Sequence, residues 1–202
     1  MVSGSTETEA LIAGVLVTRG VATSEALATA RERVAAEGGS VIDLLLRLNL
    51  VREIDVLRAF AEFYGTRFVR AETLRSAQVD AELIQRIDAQ RAEDLGICPL
   101  RFDAVNGELT VVSSIPQAAQ VASELRTLVG IRGVHVFVAT PGAVAALLRR
   151  SYFGEVDAFS LVTANGAGPT LRGDTRSPAE TMDDDEIQAA KTSTSGLRTI
   201  AD

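Results

Sequence analysis

Leu16-Val17-Thr18-Arg19-Gly20 and Leu45-Leu46-Arg47-Leu48-Asn49 carry one pattern twice, 29 residues apart. In each, two aliphatic residues close an amphipathic run, and the last residue tolerates a left-handed helix end: glycine best, asparagine next. The following apolar positions keep the same offset, with Leu27 answering Val56, Ala30 answering Ala59 and Val34 answering Phe63. Such a period signals a stacked supersecondary unit, here a helix hairpin that buries its apolar face against its copy. Four helices are predicted. The first holds Leu11, Val15, Leu16 and Arg19 and ends at Gly20. The second is capped by Thr23 or Ser24, runs to Val34 and stops at Gly38-Gly39. The third covers 42–48. The fourth covers 53–64, with Ile54, Leu57, Phe60 and Ala61 inward, and ends at Gly65.

Beyond Gly65 the texture changes. Phe68 and Val69 read as a short extended piece, Leu74 and 81–95 as short helices. Strands are predicted over 98–102 and 108–112, joined by Asn106-Gly107, a strong hairpin signal. Pro116 opens a helix that runs to Val129 and stops at Gly130. Val134 to Val138 alternates as a strand, and Pro141 starts a last helix to about Tyr152. This order predicts an α+β chain: a helical subdomain of two repeated hairpins over 7–65, then a small α/β sandwich over 66–154. The sandwich is expected to have three strands with helices on one face. Residues 155–202 are rich in Gly, Ser, Thr, Asp and Pro and read as a disordered tail. That tail holds the loop sequence 165–168 and the acidic run Asp183-Asp184-Asp185-Glu186, followed by one or two helical turns over 187–191.

The totals narrow the function classes. With 47% hydrophobic residues but only 4% aromatic and no Trp, the 202-residue chain must build an aliphatic core. A net charge of -7 argues against a nucleic-acid partner, which needs a basic face. A single cysteine, Cys98, makes no internal disulfide and fits a reducing compartment. The apolar run 10–17 is too short to span a membrane and follows Glu7 and Glu9 rather than basic residues. The chain reads as cytoplasmic, recruited to the inner membrane only through a partner.

No reaction chemistry emerges. Nothing fits G-x-x-x-x-G-K-[ST], and the single lysine, Lys191, lies in the tail, so a standard P-loop is excluded. One His and one Cys are too few for a zinc centre. Cys98 reads as a small buried hydrophobe and His135 as a packed or edge-exposed strand residue. No G-x-S-x-G is present to support a serine nucleophile. The carboxylate pairs Glu53/Asp55 and Glu93/Asp94 read as solvated helix faces. Arg31, Arg33, Arg52, Arg58, Arg67, Arg70 and Arg75 read either as solvent-facing residues or as an acid-binding surface for a partner or phosphate. No catalytic residue, metal site or cofactor is expected, and the chain is read as not an enzyme.

From about residue 10 to 154 the chain resembles the N-terminal domain of type II secretion and type IV pilus assembly ATPases, the GspE N-terminal and MshEN-like family. The first half of that family reads roughly Leu-Gly-x-x-Leu-Val-x-x-Gly, then a helix, twice. Leu16, Val17, Gly20 and Leu27, then Leu45, Leu46, Asn49 and Val56, stand at the equivalent positions of its nucleotide-binding repeats. Phe63-Tyr64-Gly65-Thr66-Arg67-Phe68-Val69 is similar to the family's Q-x-G-x-P-F-V. The second half matches better: Cys98-Pro99-Leu100, 107–111, Pro116, Leu125, Gly130, 136–140 and 152–154 fall in the family's order and spacing.

The resemblance implies a protein-interaction or regulatory module of a secretion, pilus or motility apparatus, docking on a membrane-platform protein or assembly ATPase. In one branch the domain binds cyclic di-GMP, with an Arg before each Leu-Gly suited to guanine edges and a Gln near the helix end. Here Leu11 and Ser40 stand for Arg, Ala13 and Ile42 for Gly, and Val34 and Phe63 for Gln, with Gly14 one place off. The aliphatic skeleton stays and the ligand-specific polar positions are lost. A degenerate cyclic di-GMP sensor is therefore the disfavoured alternative.

Overall fold

A computed structural model describes residues 11, 13–114, 123, 125, 126 and 131–163. Four helices come first: α1 (13–18), α2 (Ser24–Glu37), α3 (Val41–Arg47) and α4 (Glu53–Tyr64). The two repeat turns are built alike. Gly20, at φ 66°, donates to Val17 O at 2.9 Å, while Val21 N donates to Leu16 O at 2.8 Å. Asn49, at φ 55°, donates to Leu46 O, and Leu50 N to Leu45 O, both at 2.9 Å. Both turns thus close their helix with the same pair of backward bonds, and Asn49 holds the left-handed conformation glycine holds in the first copy. Thr23 Oγ1 caps α2 by accepting from Ala26 N at 3.1 Å.

Leu16, Leu27, Ala30, Leu45, Val56 and Phe60 make the hairpins' buried core. Each Leu or Phe side chain taken out of water contributes about 1.5–3 kcal/mol. Helix propensity alone would not hold segments this short.

The second body follows: β1 (Arg67–Phe68), α5 (Ala71–Ser76), α6 (Ala81–Arg86), α7 (Ala89–Asp94), β2 (Ile97–Asp103), β3 (Glu108–Ser113), β4 (Gly133–Val138), α8 (Pro141–Phe153) and α9 (Ser160–Thr163). The sheet has four strands, not the three expected, in the order β1-β4-β3-β2. β2 and β3 pair antiparallel, while β3–β4 and β1–β4 pair parallel. The added strand is the extended piece at Phe68. Its two residues lie in register with Phe137 and Val138, and Val69 N donates to Val138 O at 2.9 Å. Its partner is too distant in sequence for the pairing to be read locally. The β2–β3 turn occupies 104–107, with Gly107 at φ 69° and the Asp103 carboxylate accepting from the Val105 and Asn106 main chain.

The helix expected from Pro116 to Val129 lies outside the described residues, save that Ser123, Leu125 and Arg126 are helical and Leu125 is fully buried. The tail boundary needs correction. Ala158 and Phe159 are buried in the sandwich core, so the ordered body runs past 154 at least to Thr163. Phe159 anchors it together with Ala158, Val162 packs against the same core, and the Arg150 guanidinium lies 5.2 Å from the Phe159 ring centroid. The expected tail features beyond 163 lie outside the described residues.

Two buried clusters result. One fills the sandwich. The other fills the hairpins and takes in Phe68 and Val138 from the sheet.

Candidate functional site

The eight motif-equivalent residues divide between core and surface. Leu16, Leu27, Leu45 and Val56 are core, at 0–3% exposure, and present nothing to a ligand. Val17, Gly20 and Asn49 lie on the surface and Leu46 is half-buried. Leu16, Leu27, Leu45 and Val56 pack the two hairpins, and Gly20 and Asn49 shape their turns.

Beside the first turn, however, lies an open hollow of about 430 Å³ lined by Arg19, Gly20, Val21, Arg52, Asp55, Arg58, Ala59 and Glu62. The α1–α2 turn forms one wall and the outer face of α4 the other. Asp55, Arg58 and Glu62 fall on that face because residues three and four apart are helix neighbours. Arg19 Nη1 donates to Glu62 Oε2. Arg52 grips Asp55 with two bonds, at 2.6 and 3.1 Å. Arg58 stands on the same face with no carboxylate partner among the described residues. Paired guanidinium and carboxylate groups thus line an open hollow. No nucleophile–base pair lies there.

Of the seven arginines singled out from the sequence, only Arg52 and Arg58 share this hollow. Arg67 lies 4.8 Å from the Phe137 ring centroid, and Arg70 approaches Glu53 at 3.8 Å. Arg31, Arg33 and Arg75 are exposed. Arg19 was not singled out as part of such a surface. Its place just before the turn glycine is the signal that could have found it.

The carboxylates also need correction. Glu53 is not a solvated face residue: its Oε1 accepts from Ala71 N at 2.8 Å, at the first turn of α5. Asp43, which the pattern did not mark, does the same for α8 by accepting from Gly142 N at 3.0 Å. Cys98 is fully buried, and burial pushes its thiol up to about 12. His135 is exposed and its Nε2 lies 3.1 Å from Glu108 Oε2 across the β3–β4 pair. Among the described residues no group of His, Cys, Asp and Glu is placed to hold a metal ion. No helix among them is long and apolar enough to cross a membrane.

Fold and surface together define a two-part α+β domain with an open, charged hollow on its helical part. Residues 64–157 match the MshEN domain, which bears out over that span the likeness to the N-terminal domains of GspE- and MshE-like secretion and pilus ATPases. Solved structures include MshE with cdg, at TM-score 0.48 and 18% identity over 70% of this chain and 98% of that one. The N-terminal domain of XpsE gives TM-score 0.49 and 23% identity over 72% of this chain and 96% of that one. No curated protein matches the chain.

Proposed function

We propose that this chain is a non-enzymatic interaction module of a type II secretion, type IV pilus or motility apparatus, docking on a membrane-platform protein or assembly ATPase. The MshEN match over 64–157 carries this reading. The hollow at Arg19, Arg52 and Arg58 supports it, being charged, open and suited to contact rather than to reaction. Recruitment to the inner membrane then runs through the partner. Capture from a bacterial lysate with the full chain as bait tests the reading. Recovery of assembly ATPases or platform proteins is expected, and recovery of unrelated enzymes alone would sink it.

The second reading is a degenerate cyclic di-GMP sensor. The matched repeat turns at Gly20 and Asn49 favour it, since the skeleton of a nucleotide-binding repeat persists. The loss of Arg and Gln at its polar positions weighs against it. Thermal unfolding with high micromolar cyclic di-GMP separates the two, because a ligand that binds only the folded state raises the midpoint. A clear rise makes the chain a sensor; an unchanged midpoint leaves the docking role.

A further inference from the structure

The hollow on the hairpins holds more guanidinium than carboxylate. Arg19, Arg52 and Arg58 line it against Asp55 and Glu62, in a chain whose net charge is -7. The two ion pairs leave donors over. Arg52 meets Asp55 through Nε and Nη2, and Arg19 meets Glu62 through Nη1. Nη1 of Arg52, Nε and Nη2 of Arg19 and the whole fork of Arg58 have no partner among the described residues. A guanidinium carries only donors, so each of these groups can take a further anion. All three side chains are exposed, and an incoming ligand can reach them.

A second open hollow, at the end of α8, has the opposite balance. It sets Arg149 against Glu155 and Asp157, and Arg149 already meets Glu155 and the Ala158 carbonyl. An acidic segment is repelled there and attracted to the hairpins.

The chain itself supplies such a segment. Residues 177–190 hold Glu180, Asp183, Asp184, Asp185 and Glu186 and no basic residue. Asp183 follows Thr163, the end of α9, by 20 residues. Extended chain covers about 3.3 Å per residue, so Asp183 reaches about 65 Å from Thr163, whereas a compact body of about 150 residues has a radius of gyration of about 15 Å. Every face of the body is within that reach. One exposed ion pair is weak. Several acids in series on a short tether are favoured, because the tether holds them near the hollow at about millimolar effective concentration.

We propose that the acidic run 183–186 docks in the Arg19–Arg52–Arg58 hollow of its own chain. Arg58 offers one carboxylate a two-bond fork, and the spare N–H groups of Arg19 and Arg52 take its neighbours. The contact stands whatever the chain docks on. A partner that uses this hollow must first displace the run, which makes the run a regulator of access.

The test is paramagnetic broadening in the full chain. A nitroxide on Thr181→Cys sits beside the acids without altering them, and the buried Cys98 stays unlabelled in the folded protein. At low ionic strength the amides of Gly20, Val21 and Ala59 should lose most of their intensity, while Asn106 and His135 on the sandwich keep theirs. The loss should disappear at about 1 M salt, where the screening length falls to about 3 Å. It should also disappear when 183–186 is changed to Asn-Asn-Asn-Gln, and weaken in Arg58→Gln. No selective loss at low salt overturns the proposal, as does a loss that survives neutralising the run. A 1:1 mixture of isotope-labelled chain without nitroxide and unlabelled chain with it reads the other source: broadening in that mixture equal to the broadening within one chain would assign the contact to a second copy and overturn docking in cis.

Discussion

Asp43 Oδ1 and Gly142 N, 99 residues apart in the chain, form a 3.0 Å hydrogen bond that ties α3 to the first turn of α8. Two bodies with separate cores are joined at an atom that no local pattern marks. Gly142→Ala places a methyl against the carboxylate and should lower stability by about 1 kcal/mol, the lost bond outweighing alanine's better helix propensity. In an Asp43→Ala background the same change should be neutral or stabilising. A double-mutant cycle by urea denaturation reads the coupling; additive effects would mean the contact carries no energy.

Asn49 stands where L-residues pay for a positive φ. Asn49→Ala should lose about 1 kcal/mol, since alanine lacks the side chain that eases the left-handed region. Asn49→Gly should hold or gain. If equilibrium unfolding shows no difference between the two variants, the second repeat turn is not set by this residue.

Arg150 closes the end of α5. Its guanidinium donates to the carbonyls of Leu74, Arg75 and Ala77 and lies against Phe159. Arg150→Ala should lower stability by about 2 kcal/mol, within the range for bonds to a charged group. Arg150→Lys should recover only part of it, because an ammonium lacks the planar fork. Full recovery by Lys would show that charge alone matters.

The buried Cys98 thiol should be inert in the native protein. Thiol reagents at neutral pH should label it only after denaturant is added. Its stability contribution has a sign: a thiol raised to about 12 in the fold stays protonated where the unfolded chain ionises. Stability from this group is complete below the ordinary thiol range and is lost as pH rises through the raised value. Rapid labelling of the folded protein would contradict the burial.

Much of this architecture is legible residue by residue where its cause is local. The turns at Gly20 and Asn49, the Thr23 cap and the end of α4 at Gly65 each rest on a side chain or a φ within a few positions. β1 was not legible as a strand, because two residues carry no periodicity and their partner is Phe137–Val138. The burial of Phe159 was hidden in a polar stretch whose composition argued for disorder. Glu53 looked like an ordinary surface acid and Asp43 went unmarked, because what they meet is main chain, and backbone N–H groups leave no mark in a sequence. The hollow was half legible: its arginines were visible, but their grouping with Arg19 depends on how the repeats stack.

The parallel β1–β4 pair sets a calendar for the growing chain. Helix hairpins made of near neighbours can form as soon as they emerge from the ribosome. Phe68, though, belongs to the hairpin core and has its register partner in Val138, which enters the same core. Until that last strand has been synthesised, the early hairpins keep an unfinished seam and β1 has nothing to pair with. The final weld of the N-terminal body is thus made by Val138, translated 70 codons after its register partner Phe68, and folding on the ribosome should show that delay.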